Sequence, residues 1–327
     1  MISQSLAAIL ACPRCRGAIE VQSQRCHCRN PRCALSAEPF PVAVEQPVLV
    51  DFENSLFARD YYEGYREPVM DRDENRHGAR GRLRAFLLGT NKVAATCAPI
   101  FLRAVCAGMP AARPRVLVVG GGRIGSGAEQ LYQDERIELI GTDVYPTENT
   151  ALVADGHSLP FRDGSFDGVW IQAVLEHVLE PAAVVAEISR VLKLGGLAFA
   201  DTPFIQQVHE QAYDFTRFTL SGHRWLFRDF EEIWSGASAG PGTALIWSIR
   251  YLARSWGAGQ GLALAASLPF FWLRFFDRPG GAGAQADGAS GVFFLGRKTS
   301  QPLRPRDLIA YYRTHRASLQ EAPLRST

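Results

Sequence analysis

The sequence has little net charge and lacks a long hydrophobic run. Its 35 basic and 33 acidic residues give a formal net charge of +2, so the chain as a whole has no general attraction to nucleic acid. Only three of the basic residues are lysines, and arginine carries almost all of the positive charge. The best candidate for a membrane span, residues 255–273, contains three glycines and Pro269, which makes a spanning helix unfavourable.

The N-terminus also lacks the features of a secretory signal. Its apolar run is short, has no basic region before it and leads directly into cysteines. We therefore expect a cytoplasmic protein, in which thiols stay reduced and clustered cysteines indicate a metal site rather than disulfides. With 327 residues, 47% of them hydrophobic, the chain can bury a sizeable core without depending on metal or disulfides.

Composition divides the chain into four segments. Residues 1–55 hold five of the seven cysteines, and residues 56–114 are interpreted as a helical connecting segment that covers the cofactor. Residues 115–298 alternate strand and helix patterns, which predicts an α/β domain with a doubly wound parallel sheet. We expect a helical apolar insertion in it at about 240–290, and residues 299–327 read as a polar tail. The predicted elements of the domain are a helix over 181–192 and strands over 115–119, 137–142, 168–172, 197–201 and 291–297.

A glycine-rich loop follows the first predicted strand of this domain. Gly120, Gly122 and Gly125 have the spacing G-x-G-x-x-G, and glycine lets the backbone approach a ligand closely. Asp143 ends the next strand, where a carboxylate can accept two hydrogen bonds from a ribose diol. On these residues alone, the pattern fits a nicotinamide-dependent reductase as well as a methyltransferase.

The run ADGHSLPFRDGSFDGVWIQAVLEHV at 154–178 argues strongly against the reductase. It resembles the methyltransferase type 11 family, and the helix and glycine turn that follow in that family are similar to EISRVLKLGGLAF at 187–199. The family's hallmarks stand here at Asp155, 159–161, 163–167 and 175–178. The resemblance covers roughly 115–235. It implies a class I S-adenosylmethionine-dependent methyltransferase with a Rossmann-like, seven-stranded sheet.

The same resemblance implies a cofactor site. The expected cofactor-binding residues are Gly120, Gly122, Gly125, Asp143, Asp155, Gly156 and Gln172. Asp143 would hold the ribose hydroxyls, Asp155 would accept from the adenine amino group, and Gln172 would line the pocket where methyl donor and acceptor meet. The sequence departs from the family at Val118, where an acidic residue is usual, and in the longer spacing of its glycines. This departure leaves open a non-catalytic binding protein that retains the fold.

Polar and aromatic residues crowd the segment after the fifth predicted strand, DTPFIQQVHEQAYDFTRFT at 201–219. Similar segments occur in bacterial methyltransferases that look like this one. We expect a catalytic group of His209, Glu176 and His177, and acceptor contacts from Tyr213, Asp214 and Arg217. The alternatives are that Asp214 and Arg217 form a structural ion pair and that 176–177 is a helix start packed near the sheet edge. A general base is needed only for a hydroxyl or protonated-amine acceptor, so the motif does not identify one.

The apolar segment 244–276 contains three tryptophans and two pairs of phenylalanines. Such a segment is typical of a core or a dimer face. Otherwise it is a surface that contacts a lipid-linked acceptor or the membrane interface.

The N-terminal cysteines have the spacing of a metal site. Two closely spaced pairs are what a tetrahedral zinc ion requires, and the segment resembles the zinc ribbon of the small activator of tRNA methyltransferases. The assigned ligands are Cys12, Cys15, Cys28 and Cys33, with Cys26 or His27 as substitutes. Four protein ligands leave no open position, so we expect a structural zinc.

These patterns favour a methyltransferase that transfers a methyl group to oxygen or nitrogen of a small-molecule or glycan/lipid-linked acceptor. The excess of arginine in the ribbon permits RNA contact, and a zinc-ribbon rRNA base methyltransferase is the alternative. The near-neutral net charge speaks against RNA as the partner. Peripheral membrane contact through 244–276 stays open.

Overall fold

The computed structural model describes residues 2–23, 25–65, 91–107, 113–278, 280–281 and 283–318. Residues 66–90 and 108–112 of the predicted connecting segment lie outside the described residues, as does the end of the predicted tail from residue 319.

Two small hairpins form the N-terminal segment. After helix α1 (Gln4–Ile9), strand β1 (Ile19–Gln22) pairs antiparallel with β2 (Arg25–Cys28), and β3 (Val42–Ala43) pairs antiparallel with β4 (Gln46–Pro47). Two-stranded hairpins are marginal alone, so these elements need a larger surface to pack on.

A seven-stranded sheet forms the centre of the molecule. Its strands are β5 (Arg115–Val119), β6 (Glu138–Asp143), β7 (Leu152–Val153), β8 (Phe166–Gln172), β9 (Leu192–Pro203), β10 (Phe230–Ala239) and β11 (Gly291–Lys298). The spatial order is β10-β11-β9-β8-β5-β6-β7, and β11 runs antiparallel to both of its neighbours. The seven-stranded, Rossmann-like sheet is thus confirmed, but it is mixed rather than wholly parallel. The chain leaves β10, passes through the helical insertion and returns as β11 beside β10, so β11 runs in the opposite direction.

Helices cover both faces of the sheet. After α1, the helices are α2 (Arg59–Glu63), α3 (Lys92–Cys106), α4 (Glu129–Gln133), α5 (Pro181–Val191), α6 (Leu220–Leu226), α7 (Pro241–Ser255), α8 (Gln260–Ser267), α9 (Ala284–Asp287) and α10 (Asp307–Ser318). A 3₁₀ segment, Leu268–Phe276, follows α8. Among the described residues, no helix is long and apolar enough to cross a membrane.

Side-chain alternation along β5 divides the core between the two faces. Leu117 and Val119 belong to one cluster, which also holds Leu10 and Leu49 of the N-terminal segment. Val116 and Val118 belong to the other cluster, which α3 covers. Strands buried on both faces read as continuous apolar runs, which is why the strand predicted over 115–119 has the observed bounds.

Candidate functional site

The glycine-rich loop after β5 is packed closely against neighbouring side chains. The backbone N–H of Gly122 donates to Asp143 Oδ2 at 2.8 Å. A Cβ atom at Gly122 would lie 2.6 Å from that oxygen and 2.4 Å from a ring carbon of Tyr145. A larger residue at position 122 would have to displace Asp143 or Tyr145, so glycine suits the point where the loop meets the end of β6.

Asp143 is a fixed carboxylate at the carboxyl end of β6. Its side chain is 8% exposed, and Oδ1 accepts from the backbone N–H of Val144 at 2.7 Å. Two backbone donors thus orient the carboxylate at the sheet edge. A carboxylate offers about four lone-pair sites, which suits it to the hydroxyls of a ribose.

Gln172 holds the other end of the glycine loop. Its Nε2 donates to the carbonyl oxygen of Ser126 at 3.1 Å, and its Oε1 accepts from Trp170 Nε1 at 3.2 Å. A Cβ atom at Gly125 would lie 2.4 Å from Oε1. The predicted cofactor residues Gly125 and Gln172 therefore fit against each other at the end of β8.

Asp155 binds protein groups through both carboxylate oxygens. Oδ2 accepts from the hydroxyl of Ser55 at 2.6 Å, and Oδ1 accepts from the backbone N–H of His157 at 3.0 Å. Nearby, the hydroxyl of Tyr62 donates to the carbonyl of Val144 at 2.8 Å. Residues 52–65 therefore cover the ends of β6 and β7, where the family resemblance places the adenine.

A cavity of about 450 Å³ opens at the carboxyl ends of β8 and β9. Gly125 and Gln172 line it on one side, and Glu176 and His209 on the other. The remaining lining includes the start of α3, the end of β9 and residues of the insertion, among them Thr243, Trp247, Arg274, Phe275 and Asp277. The other predicted cofactor residues, Gly120, Gly122, Asp143, Asp155 and Gly156, are not part of its lining.

Glu176, His177 and His209 lie together, and Glu176 and His209 line the cavity. Glu176 Oε1 lies 3.6 Å from His177 Nε2 and 3.8 Å from His209 Nε2. Burial raises the pKa of Glu176 to about 8 and lowers the pKa of His177 to about 4. The pKa of His209 is also lowered by burial. At neutral pH in the absence of a ligand, the cluster therefore favours one carboxylic acid and two neutral imidazoles.

The predicted acceptor residues hold the loop that carries His209. Asp214, with a side chain 1% exposed, forms an ion pair with Arg217 and accepts from the backbone N–H of His209 at 2.9 Å. The ring of Tyr213 stacks on Phe57, with centroids 6.2 Å apart and planes at 4°. The structural ion pair that was the alternative for Asp214 and Arg217 is therefore present.

Asp201 lies in the cavity although the sequence reasoning did not select it. It is 8% exposed at the end of β9, burial raises its pKa to about 6, and Asn91 Nδ2 donates to it. Its position after the predicted strand 197–201, like that of Asp143 after its own strand, was the signal that could have found it. No such signal points to Asn91, because the sequence pattern did not predict where α3 begins.

Four of the N-terminal cysteines form a cluster. The Sγ atoms of Cys12 and Cys33 are 3.8 Å apart, those of Cys15 and Cys28 are 3.6 Å apart, and all four lie within 4.8 Å of one another. These distances are too long for disulfides. Sulfurs bound at about 2.3 Å to a tetrahedral zinc lie about 3.8 Å from each other, so the cluster has the dimensions of a zinc site. Cys26 and His27 are outside it.

Residues 117–200 match the model of a protein family described as methyltransferase domain. The matched range includes the hallmark run at 154–178 and the glycine loop, and it ends within β9. The chain contains a methyltransferase domain.

Individual relatives match the chain over short stretches. An uncharacterized 37.1 kDa protein in transposon TN4556 of Streptomyces fradiae is 40% identical over 67 residues, 19% of each chain. Demethylmenaquinone methyltransferase of Clavibacter sepedonicus is 37% identical over 75 residues, 23% of this chain and 26% of that protein. The match thus spans about a quarter or less of these curated relatives. A chain of the Haloferax volcanii complex that contains the Trm112 methyltransferase activator is 19% identical, with a TM-score of 0.38 over 64% of this chain and 93% of that one.

The cysteine cluster is docked on a hallmark of the methyltransferase domain. Arg16 donates to the carbonyl of Leu159 at 3.0 Å and forms an ion pair with Glu187 at 2.9 Å. The backbone N–H of Ala11 donates to the carbonyl of Pro160 at 3.0 Å. The Leu-Pro-Phe run that identified the domain in the sequence therefore also receives the N-terminal segment.

Proposed function

We propose that this chain is an S-adenosylmethionine-dependent methyltransferase that acts on oxygen or nitrogen of a small-molecule or glycan/lipid-linked acceptor. One observation carries the proposal. One cavity joins Gly125 of the glycine loop and Gln172 to Glu176 and His209. Methyl transfer is a direct displacement, so it needs the donor and the acceptor to meet in one space.

The cofactor side is supported by the glycine cradle. The loop at Gly122, closed against Asp143, fits the ribose and methionine end of S-adenosylmethionine, which supplies an electrophilic methyl group when bound. Asp155 is engaged by Ser55, so we assign residues 52–65 as the cover of the adenine end. Val118 is buried in the core, and no acidic residue stands two positions before Gly120 as it usually does in the family.

The acceptor side is supported by His209. Its Nδ1 lies 3.3 Å from Asp214 Oδ2 and 3.4 Å from the carbonyl of Gln207, which directs Nε2 towards Glu176 and the cavity. A neutral imidazole in this position can take a proton from a hydroxyl or ammonium acceptor. Alignment of the acceptor can contribute about 7–11 kcal/mol to the rate enhancement without further chemistry.

The cysteine cluster is proposed to hold a structural zinc. The four thiols have zinc dimensions and are supplied by the protein alone, so the ion would have no open position for acceptor chemistry. Gly17 adds a backbone N–H to Cys15 Sγ at 3.4 Å, a contact that favours a thiolate ligand.

The test is calorimetric titration of the zinc-loaded protein with S-adenosylhomocysteine and, separately, with NAD. We expect micromolar binding of S-adenosylhomocysteine alone. Gly122→Ala should weaken it by at least about 10-fold, because the new methyl group displaces Asp143 or Tyr145. Gly261→Ala is the matched control, since a Cβ atom at that position in α8 meets nothing within 4 Å.

Two outcomes would contradict the proposal. A folded, zinc-loaded protein that binds neither ligand would favour a binding protein that has lost its cofactor site. Binding of NAD alone would favour the hypothesis of a nicotinamide-dependent reductase, which the glycine spacing also permits.

A further inference from the structure

Glu176 has a buried carboxyl group for which the surrounding protein offers no hydrogen bond. The residue is 1% exposed, and neither Oε1 nor Oε2 has a hydrogen-bond partner among the described residues. Leaving a buried polar atom without a partner costs about 1–3 kcal/mol, and native structures rarely do so without a reason. Glu176 is one of the residues that line the cavity, and we infer that a ligand in that cavity is the partner that its carboxyl group lacks.

The two histidines beside Glu176 are oriented by their other ring nitrogens. His177 Nδ1 lies 2.7 Å from the carbonyl oxygen of Tyr213. Because a carbonyl oxygen only accepts, Nδ1 carries the proton and the lone pair is on Nε2. His209 Nδ1 faces the carboxylate of Asp214 and the carbonyl of Gln207 in the same way. Both Nε2 atoms lie within 3.8 Å of Glu176 Oε1, and the ring centroids are 5.0 Å apart.

This arrangement is the one that metal-binding histidines adopt in proteins. Such a histidine donates its second ring N–H to a carbonyl or a carboxylate, which fixes the tautomer and the ring. One ligand atom from each of Glu176, His177 and His209 lies within 4.8 Å of the others. Ligands at about 2.1 Å from a metal lie about 3.0–3.4 Å apart, so the distances of 3.6 and 3.8 Å to Glu176 Oε1 need to shorten by less than about 1 Å.

We propose that Glu176, His177 and His209 bind a divalent transition-metal ion whose open positions face the cavity and take an oxygen or nitrogen of the acceptor. The metal site stands on its own geometry, and its role towards an acceptor rests on the proposed function. Two imidazoles and one carboxylate with open positions suit Mn²⁺, Fe²⁺, Co²⁺ or Zn²⁺ rather than Ca²⁺ or Mg²⁺. With the ion bound, His209 Nε2 is a ligand, and the metal instead of the imidazole makes the acceptor proton easier to remove.

Charges of both signs surround the three ligands. Asp201 lies in the same cavity and interacts electrostatically with Glu176. Lys92 and Arg274 line the cavity as well, while Arg217, the nearest cation along the loop, is paired with Asp214. This site is separate from the cysteine cluster, whose four thiolates select softer ions.

The test is a titration of the zinc-loaded full chain with Mn²⁺, followed by the paramagnetic resonance signal of free Mn²⁺. Mn²⁺ is the probe because it does not displace zinc from thiolates. We expect one Mn²⁺ bound per chain, and Glu176→Gln should weaken that binding by at least about 10-fold, since it keeps the shape and removes the charged ligand. Glu180→Gln is the matched control, because Glu180 is exposed four residues away.

The outcomes separate this proposal from the methyltransferase assignment. His209→Gln is the second variant, and it should lose Mn²⁺ as Glu176→Gln does while both keep the wild-type affinity for S-adenosylhomocysteine. Absence of Mn²⁺ binding by the wild-type chain, or equal binding by both variants, overturns the metal site. Retained binding of S-adenosylhomocysteine in that case leaves the methyltransferase assignment in place.

Discussion

His223 is a single buried histidine whose protonation we expect to destabilise the fold. It lies in α6, is 1% exposed and packs edge-on to Phe227, with ring centroids 5.1 Å apart. Its Nε2 has no hydrogen-bond partner among the described residues. Burial lowers the pKa of His223 from 6.5 to about 3. The neutral imidazole is therefore the form that the packed helix accepts.

The stability of the protein should fall as the pH drops below about 6.5. The unfolded state then binds a proton at His223 that the folded state does not bind, so stability is lost between the unfolded and the folded pKa. At pH 5, this one residue should cost about 2 kcal/mol relative to pH 7. His223→Leu should remove that part of the difference between urea unfolding curves at the two pH values.

Phe227→Leu provides the matched control for His223. It removes contacts of the same ring pair without removing a titratable group, so it should lower the free energy of unfolding equally at both pH values. An unchanged pH difference in His223→Leu would show that the imidazole is already charged or hydrated in the folded protein.

Residue roles were predictable where a short pattern fixes the geometry. Gly122 and Asp143 could be paired in advance because strand ends of a parallel sheet meet at one edge. The hydrogen bond from Ser55 to Asp155 joins residues 100 positions apart, and no spacing rule connects them. The isolation of the Glu176 carboxyl group is likewise a product of tertiary packing, which sequence patterns do not report.

At the scale of elements, the N-terminal segment and the sheet share one hydrophobic cluster. The buried Cys12 and Cys28 belong to the cluster that also holds Phe161, Val184 and Ile188. In addition, Val48 forms a parallel bridge to Val153 at the edge of the sheet. Because residues of both parts form one cluster, we expect the N-terminal segment and the sheet to unfold together.

Loss of the proposed zinc should therefore destabilise the whole domain. Cys28→Ser removes one ligand, and we expect the chain to lose one zinc and on the order of 5 kcal/mol of stability in a single transition. The measurement is zinc content by elemental analysis together with urea unfolding followed by circular dichroism. Cys106→Ser, a thiol of α3 outside the cluster, is the control and should change stability by no more than about 1 kcal/mol.

A separate early transition for the N-terminal segment, with the main transition unmoved, would be evidence against this coupling. It would mean that the hydrophobic cluster stays folded when the cysteine loops are no longer ordered.

Elements were predictable where burial alone decides their structure. The strand β5 and the helix α5 were placed within one residue of their bounds, since a continuous apolar run and an amphipathic period are local properties. The direction of β11 was not predictable, because the sequence pattern of a strand is the same whether it pairs parallel or antiparallel with its neighbours. The pairing of β11 between β9 and β10 is decided by the chain that folds between them.

At the scale of the whole molecule, the insertion between β10 and β11 presents an apolar face beside the cavity. Phe275 lines the cavity and is 61% exposed, and its neighbour Phe276 is 65% exposed. Trp256 is 83% exposed and Leu262 is 66% exposed. Several exposed aromatic and aliphatic residues in one segment are typical of a contact surface. Few of the residues in 244–276 are buried, so the segment is not simply core.

Basic residues border the same face. Residues 240–290 hold four arginines and two aspartates, and the guanidinium groups of Arg250, Arg254 and Arg274 lie over aromatic rings of the insertion. Aromatic residues beside arginines are the composition of surfaces that lie on anionic lipid. A lipid-linked acceptor would then enter the cavity from the membrane surface.

We predict that the protein floats with vesicles of anionic phospholipid in a density gradient and less with vesicles of neutral phospholipid. Replacement of both Trp256 and Phe276 by serine should abolish flotation, since it removes two of the large side chains available for insertion. Leu194→Ser is the control, because Leu194 is 69% exposed near the start of β9, opposite the strand end that lines the cavity. If the wild-type protein does not float, the insertion does not bind membranes, and a dimer contact becomes the better explanation of its exposed apolar residues. Flotation that survives the double substitution would move the contact elsewhere on the molecule.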